Sequence, residues 1–223
     1  MASQRGARRL RGPSAATVIG LVLLLVGLGI LGWAGWQFYG TNVTSRKAAQ
    51  DATATLKQQW QSKPADEEKT GAGQLPGEAV ALLRIPDLGA DHEWPVRVGT
   101  DAGTLAKGIG WYEDTAAPGE VGNFAVAGHR VTHGEPFRRL LELKKGSRVV
   151  VETREAVFTY QLDNAPSEIT VADVDGGWVL DPVPGKPTAT PTRALMTLTT
   201  CQDLFHSPDR SVAFAHLVKT QKK

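Results

Sequence analysis

From Gly12 to Ser45 the chain carries no charged residue, and within that stretch Ala15 to Tyr39 is almost wholly apolar. About 20 consecutive apolar residues suffice to cross a bilayer as a helix, so the pattern predicts a membrane-spanning segment over 15–39. Trp33, Trp36, Phe38 and Tyr39 gather at its far end, where aromatic rings settle at headgroup level. Arg5, Arg8, Arg9 and Arg11 precede it with no acid among them, which by the positive-inside rule makes 1–14 a cytoplasmic tail and exports the rest. A cleavable secretory signal would have a shorter apolar core, about 7–15 residues, and a small-x-small cleavage site. Trp33 and Trp36 crowd the place where that site would fall, so the segment reads as an uncleaved anchor.

The pattern changes beyond the anchor. Residues 40–77 read as a stalk and linker. Ala49, Ala52, Leu56, Gln59 and Trp60 recur at roughly helical spacing, so the first part is either a helical stalk or, with so few large apolar residues, a disordered tether. Pro64 to Gly77 is charged and rich in Gly and Pro, a linker composition. Residues 78–220 then form one domain of a common size. Strand signals fall at 79–85, 124–127, 148–152, 157–162, 168–171, 194–200 and 211–217, with Gly, Pro, Asp and Asn between them. Pro136 to Leu143 predicts a short helix, with Pro136 in its first turn. Many short strands punctuated by turns predict a mainly β domain, a closed or nearly closed barrel or a sandwich. Residues 221–223 are left as a basic C-terminal tail.

Charge alters this picture only by exclusion. The whole chain has a formal net charge of +2, but 78–220 holds 14 Lys and Arg against 19 Asp and Glu, a net of −5. An acidic exported domain gives no reason to expect nucleic acid as a partner. Cysteine content says more. Cys201 is the only cysteine, so it has no partner for an internal disulfide, and an unpaired extracellular thiol pairs with another chain or acts as a nucleophile. A thiol needs a proton partner, and attack on a carbonyl needs a cation or N–H groups for the oxyanion. His129, after a strand and Gly128, is the histidine best placed at a barrel mouth, with His206 a second candidate. His92, His133 and His216 read as structural or solvated. Arg210 opens the final strand nine residues after Cys201, so neighbouring strands would bring cation and thiol together.

These residues resemble the sortase family of membrane-anchored cysteine transpeptidases. Thr197–Cys201, TLTTC, is similar to the family's TLxTC signature, and Asn123–Arg130 to its histidine motif. Leu83–Gly89, Gly108–Thr115 with Pro118–Glu120, and the F-x-x-L-x-x-L-x-x-G run from Phe137 to Gly146 extend the resemblance over nearly all of 78–220. The short cysteine-to-arginine loop and the N-terminal anchor look most like class E. Trp111 stands where relatives commonly have histidine, and Ser147 where they usually have aspartate.

The resemblance implies a closed eight-stranded β-barrel with one or two short helices, and Cys201, His129 and Arg210 as the catalytic residues. Thr200, Thr199, Trp111 and His206 are further candidates for binding the peptide or its oxyanion. The implied reaction, of the cysteine-endopeptidase class, cleaves a C-terminal LPxTG or LAxTG sorting signal between Thr and Gly. The resulting thioester passes to an amine from a cell-wall precursor or a pilin lysine. Substrates would be secreted proteins bearing such signals, and the catalytic domain would face outward from a single-pass anchor. No metal or other cofactor is expected: Asp173, Asp175 and Asp181 fall short of the 6–8 oxygen ligands calcium takes. Two rival readings are a pilin-polymerising enzyme, against which stands the lack of an Asp-Pro-aromatic lid in 41–77, and a non-catalytic tethered binding module with Cys201 as a buried small hydrophobe.

Overall fold

The computed structural model describes residues 14–62, 77–201 and 208–223. Helix α1, Ala15–Gly35, is capped by Ser14, whose hydroxyl accepts from the Thr17 N–H at 3.2 Å. None of its side chains is buried, although Leu, Ile and Val dominate it. Its 21 residues extend roughly 30 Å, the thickness of a bilayer's hydrocarbon core. A π-helical turn, Trp36–Gly40, joins it to α2, Thr41–Ser62.

Of the two readings of the stalk, the helix is what forms, and it does not stand free. Ser45, Ala49 and Leu56 recur on one face of α2 and are buried. Two of the three are small, which lets the helix lie close to the barrel. Lys57 pairs with Glu93 at 2.6 Å, and Arg154 donates to the Gln59 carbonyl at 2.8 Å.

Among the described residues nine strands follow: β1 Ala79–Arg84, β2 Glu93–Val98, β3 Ile109–Trp111, β4 Gly122–Ala127, β5 Arg148–Glu152, β6 Ala156–Leu162, β7 Thr170–Ala172, β8 Ala194–Cys201 and β9 Asp209–Lys222. Their order is β6-β5-β1-β2-β3-β4-β8-β9, and β9 pairs back onto β6, so eight strands close a barrel. β7 is an appendage on the first residues of β9. Only β2–β3 and β4–β8 run parallel. Leu83, Val96, Ile109, Phe124, Val126, Val151, Tyr160, Met196 and Leu198 fill the interior.

The secondary structure departs from the sequence reading in three places. β2 and β3 were not foreseen. Pro95 interrupts the first, and Gly110 dilutes the second, where a Cβ would stand 2.5 Å from the Gly99 carbonyl. The helix expected over 136–143 is only a 3₁₀ turn at Leu140–Glu142. Phe137, Leu140 and Leu143 are all buried and spaced by three, the period that a 3₁₀ turn places on one face. Finally, 221–223 is no separate tail. β9 runs to Lys222 along β6, and the Lys223 ammonium pairs with Glu152 at 2.7 Å and lies over the Trp60 ring.

Candidate active site

The site grows from the junction of β4, β8 and β9. The two-residue strand period sends Met196 and Leu198 into the barrel and leaves Thr197, Thr199 and Cys201 on the opposite face. The 173–181 segment covers part of that face. The Asn123 amide donates to the carbonyls of Val179 and Asp181 at 2.9 and 3.1 Å, the Thr197 hydroxyl donates to Asn123 Oδ1 at 2.8 Å, and Trp178 tilts against Phe214. Past this cover, at the end of β8, Cys201 is half-buried and a free thiol. Its Cα partner across the ladder is Arg210. The thiol and the guanidinium are therefore neighbours by register.

His129 arrives from the other side of β8. β4 ends at Ala127, paired with Thr199, and the next residue is gripped at both ends: the Gly128 N–H donates to the Thr199 carbonyl at 3.2 Å, and the Thr200 hydroxyl donates to the Gly128 carbonyl at 2.8 Å. Position 128 must be glycine for a packing reason, because a Cβ there would sit 2.6 Å from Phe137 Cδ2, on a wholly buried ring. The Phe137 N–H in turn donates to the His129 carbonyl at 3.0 Å. The imidazole is stacked on that of His133, centroids 4.8 Å apart. Burial, then the charge of His133, then that of Arg210 lower its pKa to about 4. His129 is therefore neutral at pH 7, and the ladder that pairs Ala127 with Thr199 and Cys201 with Arg210 brings it to the same rim as the guanidinium.

The remaining candidates fare differently. The hydroxyls of Thr199 and Thr200 are buried and committed to the carbonyls of Val126 and Gly128, so they brace β4 rather than face a ligand. Trp111, 5% exposed, is a core residue: its ring tilts against Phe124 and its N–H donates to Thr115 Oγ1. That burial leaves it no face toward a groove. His206 lies outside the described residues, as does the side chain of Asp173. Among the described residues, no three His, Cys, Asp or Glu side chains converge as metal ligands would. His133, read from the sequence as structural or solvated, stacks on His129. Its place four residues after His129 in a glycine-containing loop was the one available hint.

A sortase-domain family model matches residues 83–218, more than half of the chain. The chain belongs to the sortase family, whose members are cysteine transpeptidases. Within it the similarity is to class E. Sortase SrtE1 of Streptomyces coelicolor is 34% identical over 96% of this chain, which spans 62% of that relative's length. The structure of sortase E from Streptomyces avermitilis is 39% identical, with a TM-score of 0.58, covering 67% of this chain and 93% of that one. The crystal structure of sortase E1 from Streptomyces coelicolor with a tripeptide in the active site is 33% identical, with a TM-score of 0.56, covering 67% and 94%.

Proposed function

We propose that this chain is a membrane-anchored transpeptidase that cleaves C-terminal LPxTG- or LAxTG-type sorting signals between Thr and Gly and transfers the protein to a cell-wall precursor amine. The observation that carries the reading is the pairing of Cys201 with Arg210 across β8–β9, with neutral His129 held at the same rim. The sortase E1 relative, whose active site holds a tripeptide, agrees with a peptide substrate. Helix α1, apolar and unburied, serves as the anchor, with the N-terminus cytoplasmic and the barrel outside.

In this mechanism the Cys201 sulfur attacks the threonine carbonyl as its proton passes to His129. Arg210 stabilises the oxyanion of the tetrahedral intermediate. When the C–N bond breaks, His129 returns the proton to the departing glycine amine, leaving a thioester on Cys201. The acceptor amine then attacks that thioester, gives a proton to His129 and forms the new amide bond, while the sulfur leaves as thiolate and recovers the proton. Confinement of enzyme and substrate to one membrane raises their effective concentration without further contacts.

The test is single-turnover acylation with LPxTG and LAxTG peptides, followed by cell-wall precursor amines or a lysine peptide as acceptor. Cys201→Ala should form no thioester, and Arg210→Ala and His129→Ala should each lose at least about a hundredfold in rate. Peptide cleavage by Cys201→Ala protein would overturn the proposal.

A further inference from the structure

The loop that carries His129 has a backbone that does not hold itself. His133 and Glu135 have φ of 55° and 58°, with Gly134 between them at 85°, so three consecutive residues are left-handed and two of them bear side chains. Non-glycine residues adopt that region only where their surroundings impose it. Inside the loop the imposing bonds are few. The Glu135 N–H donates to the Thr132 carbonyl at 3.2 Å, and the Phe137 N–H to the His129 carbonyl.

The rest comes from a residue some ninety positions earlier. Asn42, in the first turn of α2, spends both ends of its amide on this loop. Its Oδ1 accepts from the Gly134 N–H at 2.8 Å, and its Nδ2 donates to Glu135 Oε1 at 2.9 Å and to the Val131 carbonyl at 3.5 Å. Glu135, whose side chain is only 6% exposed, is held on its other oxygen by Arg138 at 2.6 Å and by Arg46 of α2 at 3.8 Å. Gly134 is wedged between Trp94 and the Arg46 side chain, where a Cβ would meet the indole at 2.7 Å. Asn42 and Arg46 are one helical turn apart, so one face of α2 grips the loop twice.

We infer that Asn42 is a positioning residue for His129: through Gly134 and Glu135 the helix that continues the anchor holds the histidine loop in its working shape. It touches neither thiol nor peptide, and it acts by holding the loop backbone so that the half-buried imidazole keeps its place at the rim, with His133 stacked on it. This inference rests on His129 being the proton carrier proposed above.

The test uses the full chain in lipid nanodiscs, with sorting-peptide acylation and the His129 NMR titration measured together. Asn42→Ala should lower the acylation rate about tenfold with KM nearly unchanged, and should move the His129 titration up from about 4 toward that of a free imidazole. Asn42→Asp alone should be worse, because its carboxylate faces that of Glu135. Asn42→Asp combined with Glu135→Gln exchanges donor and acceptor across the Asn42–Glu135 contact, at the loss of the long bond to the Val131 carbonyl, and should restore most of both rate and titration. A wild-type rate and titration in Asn42→Ala would overturn the inference. So would a lower rate with an unmoved titration and no rescue by the double variant, which would mark Asn42 as merely structural. Full activity in His129→Ala would instead remove the proposed role of His129, while the titrations would still report whether Asn42 holds the loop.

Discussion

The two sides of the rim are built differently. On one side, Cys201 and Arg210 face each other because the β8–β9 register runs unbroken from Leu195 opposite His216 to Cys201 opposite Arg210. Backbone ladder bonds set that position. On the other side, His129 lies in irregular backbone, and what fixes it is a set of side-chain tethers drawn from β8, α2 and the β1–β2 turn. Thr200 holds Gly128, Asn42 holds Gly134, and the His92 Nε2–H donates to the Pro136 carbonyl at 2.9 Å. A ladder tolerates the loss of any one side chain. A tethered loop does not, so substitutions far from the chemistry should act through His129 much more than through Cys201.

The largest effect that separates the two sides should come from Gly128→Ala. The new methyl has no room beside the buried Phe137 ring, so the loop must move, and a displacement of about 1 Å at a reacting group costs on the order of a hundredfold in rate. Thr199→Val is the matched change on the ladder side. It deletes a buried hydroxyl bonded to the Val126 carbonyl, costs roughly 1 kcal/mol in urea unfolding, and should leave acylation within about threefold of wild type. Equal losses of rate in the two variants would break the distinction between ladder and tether.

That distinction also explains what could be read from the chain. The TLTTC run followed nine residues later by an arginine is a local pattern, and a strand, a loop and a strand were enough to place Cys201 opposite Arg210. The interior strands carried their alternation openly. β2 and β3 hid behind Pro95 and Gly110, and their pairing with each other is parallel, which no local signal names. The tethers were less visible still. Asn42 lies in a polar stretch that was equally compatible with a free linker, and nothing near it in sequence points to Gly134. Trp111 reads as a peptide-binding candidate because a position in a motif does not reveal which face of a three-residue strand it occupies.

A smaller effect should appear in stability against pH. His92 bridges the β1–β2 turn and the histidine loop only when neutral, because its Nδ1 accepts from the Ile85 N–H while its Nε2–H donates to Pro136. Burial lowers its pKa, and those of His129 and His133 are lowered as well. Groups held below their unfolded pKa bind fewer protons when folded. Their contribution is therefore complete above about pH 6.5 and is lost as pH falls through the folded values. Urea midpoints should drop between pH 7.5 and pH 5. His92→Gln should cost roughly 1–3 kcal/mol at pH 7.5 by leaving a backbone group unpaired, and it should show a shallower decline with acid. A decline as steep as that of wild type would exclude His92 from the acid response.

The finest discrimination lies within the loop, at His133. Its ring covers one face of His129, and its charge is the second cause of the low His129 pKa, after burial. Replacing it with alanine removes a repelling cation and exposes the imidazole, and both changes favour protonated His129. The acid limb of the acylation rate should therefore rise from about 4 toward the ordinary imidazole value. The direction is the same whether the reacting form is thiol with neutral imidazole or thiolate with imidazolium, because the two have equal proton counts and titrate as a pair. At pH 7 the rate should change by no more than about twofold, since His129 stays mostly neutral there. An unmoved acid limb would mean that burial by the tethers alone sets the His129 proton affinity, with the stacked ring contributing only packing.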